Sequence, residues 1–393
     1  MELVKTDWTR AFLCVASGVL SACQIGKAAI AIPALQQNLG LDLVSTSMIA
    51  SAYAVLGAIG SVFVGVFVAR FPMQRVLVFA LALIATGNFA GALSNGIGLL
   101  LASRMIEGVG MICTPIAAFT LLRGVVASKD QSIAFSWWSA HIPAGTALML
   151  GVGPLLLGYG WRALWIVNGS LAAILALTLA VQIFPPPAAS ASAVDSPVRA
   201  AVKMLRSPVP PLLAGTFTLY AVYFYSMSAF LPTLLVERLH IPLAAAGTIS
   251  AVAVIANAGG NVATGLYLRF GFPLWATMTA VFLVIFTVGQ VVFNPDSPIW
   301  LVAVAAATGF AATAMLPASV FAAVPRLTDN IQAMALMLSL IQQAAAIGQL
   351  SGPVILASWV EGFGWPGVSN LFLLIALSGL AVTWRLSVAL RRT

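Results

Sequence analysis

The sequence predicts an all-α membrane protein: twelve transmembrane helices in two six-helix bundles related by pseudo-two-fold symmetry. Three observations predict it. The 393 residues are 61% hydrophobic and only 7% charged, where a soluble domain carries about 25% charged residues. Twelve apolar runs are long enough to cross a bilayer, which takes about 20 residues of helix. Short patterns recur in the same order in both halves, roughly 200 residues apart.

The runs fall at roughly 11–33, 46–69, 76–94, 97–122, 132–158, 163–184, 209–236, 243–268, 273–293, 298–324, 330–359 and 366–388. The first, Ala11 to Pro33, is too long for a signal-peptide core and lacks a small-x-small exit, so it reads as a retained membrane helix. Most connections are short and hold turn formers: Arg70-Phe71-Pro72, Asn95-Gly96 and Asn294-Pro295-Asp296. The connection after the sixth run differs. Pro185-Pro186-Pro187 opens a segment rich in Ala, Ser and Pro that runs to Pro208 and carries Arg199, Lys203 and Arg206. It reads as a cytoplasmic linker, extended at first. The expected domains are therefore a bundle over 1–184, a linker over 185–208 and a bundle over 209–393.

The net charge of +8 follows the same plan. Lys5, Arg10, Arg70, Arg75, Arg123, Lys129, Arg199, Lys203, Arg206, Arg269, Arg326, Arg385, Arg391 and Arg392 lie at the termini and in every second loop. The intervening loops carry mainly Asp42, Arg162, Glu237, Arg238, Asp296 and Glu361. This positive-inside asymmetry places both termini in the cytoplasm and the chain in the inner membrane. It accounts for the basic balance without a nucleic-acid partner. Cys14, Cys23 and Cys113 sit in apolar runs without metal-ligand spacing, so they read as reduced packing residues and no metal site is expected.

The halves echo each other at three places. Gly65-Val-Phe-Val-Ala-Arg70-Phe71 recurs as Gly265-Leu-Tyr-Leu-Arg269-Phe270-Gly271. Gly153-Pro154 recurs as Gly352-Pro353, and Gly158-Tyr-Gly-Trp161 as Gly362-Phe-Gly-Trp365. Three matches in one order argue for a duplicated six-helix unit, the plan of many secondary transporters.

With these patterns at these places, the chain resembles the major facilitator superfamily over essentially its whole length. The loop after run two resembles that family's Gly-x-x-x-Asp-Arg/Lys-x-Gly-Arg-Lys signature at Gly65, Arg70 and Arg75, with Ala69 in place of the acid and Met73 in place of the second glycine. The resemblance assigns gating to this loop, in a weakened form. Arg104-x-x-Glu107-Gly108-x-Gly110 resembles the span-four motif Arg-x-x-Gln-Gly-x-Gly, whose arginine the family links to proton transfer; Glu107 makes the site titratable. Gly145 through Gly151-Val-Gly153-Pro154 to Gly158 resembles the span-five motif of proton-exchanging exporters, followed by Gly160-Trp161-Arg162. The resemblance implies a secondary transporter driven by the proton gradient, without a cofactor.

Within the first half, Arg104 and Glu107 stand three residues apart, on one helix face. Charges in mid-membrane cost about 2.5–3.5 kcal/mol each and mark function by default. At 1.5 Å per residue, Arg104 lies about 12 Å and Lys27 about 9 Å from the outer ends of their spans. If both spans line one cavity, Lys27, Arg104 and Glu107 share it, with a net charge near +1. Arg104, Glu107 and His141 are the candidates for proton coupling; Lys27, Gln24 and Arg104 for substrate binding. Each has a structural alternative: a clamp onto carbonyls for Arg104, a static ion pair for Glu107, snorkelling for Lys27, and a neutral carbonyl-bonded imidazole for His141.

The second half offers no clear intramembrane charge. Its candidate ligand wall is Tyr220, Tyr223, Asn257, Asn261 and Gln342, with Tyr225, Gln343 and Gln349 nearby. The alternative is interhelical hydrogen bonding. Gly65, Arg70 and Arg75, with Gly145, Gly153, Pro154 and Gly158, are the gating and hinge candidates. The glycines are expected along one side of span five, where a facing helix can approach, and Pro154 can kink that helix.

These observations favour a proton-coupled exporter of a small organic molecule, anionic or zwitterionic, working as a monomer in the bilayer. The alternative is uptake or exchange of a small organic or inorganic anion. A membrane sensor on a transporter fold is more remote. No catalytic arrangement, metal cluster or ATP-binding loop stands out, so no enzyme is expected.

Overall fold

The computed structural model describes residues 6–391 apart from 69–70, 131–132, 135–136, 139, 183, 185–205, 268–272, 325–326 and 328–330. The side chains at 62–63, 65–66, 128, 262, 265–267, 322 and 331–336 are likewise outside the description. The described residues form helices and no strands: α1 Trp8–Leu39, α2 Leu43–Ser51, α3 Val55–Val68, α4 Met73–Ala92, α5 Ile97–Val125, α6 His141–Leu157, α7 Trp161–Ala180, α8 Val209–Leu239, α9 Leu243–Tyr267, α10 Leu274–Val292, α11 Ile299–Thr313, α12 Met315–Ala323 and α13 Ile331–Leu390. Among the described residues ten helices are long and apolar enough to cross a membrane, and α6 is a shorter apolar helix. In lipid only a helix or a closed barrel satisfies every backbone group internally, which is why runs of this composition fold this way.

Helices and apolar runs differ where the backbone breaks. The second run becomes α2, a 3-10 turn Ala52–Ala54 and α3, the last interrupted at Gly60. The tenth run divides at Ala314 into α11 and α12. The last two runs, by contrast, agree with the structure: α13 consists of two helices that part at Gly364, with φ 69° and ψ 173°, in the gap between those runs. Gly160, just before α7, has φ 93°. Both glycines therefore occupy backbone regions that favour glycine, and each is followed by a tryptophan, Trp161 or Trp365.

Helix ends are satisfied by short polar side chains and by arginines. Asp7 caps α1, accepting from Arg10 N at 3.0 Å, and Asp42 caps α2, accepting from Ser45 N at 2.6 Å. Arg162 donates to the carbonyls of Ala92 and Ser94 at 3.1 and 2.9 Å, holding the C-terminal end of α4. Arg238 does the same for α10, through the carbonyls of Val292 and Asn294. A clasp joins the N-terminus to the segment after α5: Asp7 N donates to Val125 O at 3.0 Å, and the Thr6 hydroxyl bridges Ala127 N and Asp130.

The contacts divide the chain into two compact units. The first comprises Met1–Leu56, Phe63–Ala191 and Pro242–Ala251; the second Gly57–Val62, Ser192–Ile241 and Val252–Thr393. In the first, α1 packs against α2, α5, α6 and α7, while α4 packs against α5 and α7. In the second, α13 packs against α8 and α10. Small residues set the helix spacing, as expected where lipid supplies no hydrophobic drive between helices. A Cβ on Gly145 would meet the Val19 carbonyl and lie 2.9 Å from Cys23 N of α1. A Cβ on Gly108 of α5 would lie 2.9 Å from the Tyr53 backbone.

Candidate functional site

The first unit holds a sealed polar cluster. Lys27 of α1 and Arg104 and Glu107 of α5 are each 0% exposed. Three residues apart on α5, Arg104 and Glu107 lie on one face, and Arg104 Nη1 donates to Glu107 Oε2. The other carboxylate oxygen accepts from Lys27 Nζ at 2.8 Å. One carboxylate is thus held between two cations from two helices.

Each cation has further partners. Arg104 donates to Ile49 O at 3.0 Å and Gln24 O at 3.1 Å, with Ala50 O at 3.5 Å. Its guanidinium lies 5.1 Å from the Tyr53 ring centroid. It therefore ties α5 to α1 and α2 through carbonyls as well as through Glu107. Lys27 also donates to Asn88 Oδ1 of α4, and its Nζ lies 4.7 Å from the Trp165 ring centroid of α7.

An amide chain continues from Asn88. Its Nδ2 donates to Gln24 Oε1 at 2.9 Å and Ile84 O at 2.8 Å. Gln24 Nε2 reaches Asn168 Oδ1 of α7 at 3.3 Å, and Asn168 Nδ2 reaches Met149 Sδ of α6 at 3.3 Å. Gln24, Asn88 and Asn168 are all buried. The network thus links α1, α4, α5, α6 and α7. Buried polar groups are stable only when so paired.

Lys27, Arg104 and Glu107 meet, with Gln24 beside them, in a sealed cluster rather than along an open cavity. Lys27 is paired inward, not snorkelled to an interface, and Arg104 combines the clamp and the ion pair. Asn88 and Asn168 were missed by sequence reasoning, although each is a lone amide deep in an apolar run. His141 stands apart in bonding: its Nδ1 lies 2.5 Å from Trp138 O, and its ring stacks on Trp138 at 4.4 Å. That is the carbonyl-bonded arrangement of a structural imidazole.

In the second unit, Tyr220 packs against Phe217 and Phe224, and Asn257 donates to Phe310 O at 2.9 Å and accepts from Asn261 at 3.1 Å. Gln349 Nε2 donates to Tyr225 Oη at 2.7 Å. Tyr223 is buried against Phe310 and Phe372. Gln342 is exposed, and Gln343 donates to Ala58 O at 3.1 Å. Several of these groups thus serve interhelical bonds.

Among the hinge candidates, Gly145 and Gly153 face α1, the latter with a Cβ position 2.7 Å from Ile30. Gly158 meets only its own helix end, and Pro154 lies within α6. The glycines of this helix therefore do not all share one side. Arg75 is exposed near the start of α4. Arg70 and the side-chain surroundings of Gly65 lie outside the described residues.

These features define a multi-span helical membrane protein with ion pairs sealed inside its first unit. Residues 14–296 match the model of the Major Facilitator Superfamily, and the chain belongs to that family. It is 26% identical over 256 residues to the 3-(3-hydroxy-phenyl)propionate transporter of Escherichia coli (strain K12), covering 63% of this chain and 62% of that protein. It is 27% identical over 226 residues to the 4-hydroxybenzoate transporter PcaK of Pseudomonas putida, covering 55% and 49%. It is 30% identical over 159 residues to the tetracenomycin C resistance and export protein of Streptomyces glaucescens, covering 40% and 29%. Each match spans less than two thirds of the relative. Among solved structures, the nucleoside transporter NupG superposes with TM-score 0.76 at 13% identity, covering 97% of this chain and 99% of that one. A bacterial homolog of the human lysosomal transporter Spinster superposes with TM-score 0.75 at 13% identity, covering 97% and 95%. These superpositions show the fold.

Proposed function

We propose that the protein is a proton-coupled secondary transporter of a small organic carboxylate, aromatic acids being the first class to test. The carrying observation is the buried cluster, in which Lys27 and Arg104 face one carboxylate and leave one positive charge in excess. A cluster of that charge suits an anionic cargo. The likeness to two relatives named as aromatic-acid transporters supports the same reading. The proposal includes twelve spans, as bundles over 1–184 and 209–393 joined by a linker over 185–208. It also includes an inner-membrane location with cytoplasmic termini, a monomeric state and no cofactor. The break at Gly364 and the matching Gly160-Trp161 and Gly364-Trp365 turns support the duplicated plan. Within the second unit, Tyr220, Asn257 and Asn261 are proposed as uncharged substrate-binding residues.

Export is the second reading. It is favoured by the likeness to the tetracenomycin C export protein and by the glycines of α6. Proteoliposomes with an imposed pH gradient test both. Uphill accumulation of 4-hydroxybenzoate with the inward proton gradient supports carboxylate uptake. Accumulation against the opposite gradient supports export. Gradient-independent flux of every carboxylate tried rejects proton coupling.

A further inference from the structure

We propose that Lys27, rather than Glu107, is the group of the cluster that gains and loses the coupled proton. The inference rests on the proton-coupled reading above and names the side chain that titrates.

Charge counting comes first. Lys27 and Arg104 are two buried cations and Glu107 is one buried carboxylate. Among the described residues, the helices packed against α1 bring no second anion to them. On α1 itself the titratable neighbour is Cys23, and Tyr53 lies beneath the Arg104 guanidinium. From α4 and α7 come Asn88, Asn168 and Trp165, all uncharged. His141 of α6 packs at Gly18 of α1, nine residues before Lys27, or about 13 Å along the helix. One positive charge is therefore left over where burying it is costly.

Hydrogen bonding then selects the group that loses it. Arg104 stays protonated in proteins and is fixed to Glu107 and to the Gln24 and Ile49 carbonyls. Each oxygen of Glu107 receives an N–H from a cation. Both oxygens are thus already engaged as acceptors. Lys27 is different. Its ammonium has three N–H groups, but its two hydrogen bonds go to Asn88 Oδ1 and Glu107 Oε1. On a further side it meets the Trp165 ring. A proton released from Nζ when the transport cycle opens the cluster to water leaves a lone pair on Nζ, keeps both acceptors served and makes the cluster neutral. A substrate carboxylate balances the same charge with Lys27 still protonated. The anion and the proton are then carried together, and the empty cluster returns neutral.

Tryptophan emission of the purified full-length chain, titrated with pH in detergent without substrate, tests the assignment. The Lys27 charge sits over the Trp165 ring, so its loss changes that indole's emission. The difference between the wild type and Trp165→Phe isolates the signal without altering any charge. The expected result is a titration step absent from Trp165→Phe and Lys27→Arg, and retained with a shifted midpoint in Glu107→Gln. In proteoliposomes, Lys27→Arg should lose accumulation driven by the pH gradient, whatever its effect on substrate exchange. A wild type without a Trp165-dependent step overturns the proposal whatever the variants do. So does a step that survives Lys27→Arg or disappears in Glu107→Gln. A Lys27-dependent step in a protein without gradient-driven transport overturns the transport reading and leaves Lys27 as the titrating group. Gradient-driven transport without the step does the reverse.

Discussion

Replacing Lys27 by Met should destabilise the protein less than replacing Glu107 by Gln. Both residues are fully buried, and each change removes one charge from the same cluster. The consequences are opposite. Lys27→Met leaves the Arg104–Glu107 pair, which is neutral overall. Its cost is an unserved oxygen on Asn88 and one on Glu107, or about 1–3 kcal/mol for each buried acceptor left without a donor. Glu107→Gln leaves Lys27 and Arg104 facing a neutral amide, two cations without their counter-ion. Breaking a buried ion pair in this way costs about 3–5 kcal/mol. The expected order follows from the charge left behind, none after Lys27→Met and two cations without a counter-ion after Glu107→Gln. Unfolding of both variants in the same mixed micelles, followed by circular dichroism, measures it. A Lys27→Met protein as unstable as Glu107→Gln, or less stable, would refute the idea that charge balance holds the cluster.

Gly108→Ala should force α5 away from the 52–54 turn, because its Cβ would lie 2.9 Å from the Tyr53 backbone. A loss of about 1–3 kcal/mol is expected from such overpacking, read as a lower thermal midpoint. Arg162→Gln should lower the midpoint while leaving transport intact, since the side chain holds carbonyls at the end of α4 and touches none of the cluster. Asp42 gives a pH signature: hydrogen bonds from Ser45, first the side chain and then the backbone N–H, hold its carboxyl below the usual carboxylate value. Its contribution is therefore complete above the unfolded carboxylate pKa, about 3.9, and is lost as pH falls through the lower folded value. The stability difference between wild type and Asp42→Asn should be constant at neutral pH and shrink in acid, as thermal melts across that range would show.

The membrane class, the charge asymmetry and the meeting of Lys27 with Arg104 and Glu107 were legible in the sequence. Burial in lipid makes every intramembrane charge conspicuous, and helical rise converts residue number into depth. Asn88 and Asn168 were harder to read because an amide can be satisfied locally, as both are through the carbonyl four residues earlier. Only the tertiary structure shows that their remaining atoms reach Lys27, Gln24 and Met149. The breaks at Gly60 and Ala314 were invisible for another reason. Hydropathy reports where a chain can be buried, not where its backbone leaves the helix.

Two charged residues of the cluster stand directly beside glycines that touch another backbone. Gly26 precedes Lys27, and a Cβ there would lie 2.9 Å from Met149 Cβ. Gly108 follows Glu107, against Tyr53, and a Cβ on Gly87 would lie 2.9 Å from Glu107 N. The ions are thereby bolted to the main-chain seams of α1, α4, α5 and α6, with little freedom to sway on their own stems. A change in charge at Lys27 would accordingly have to be relieved by the helices themselves rather than by the side chain alone.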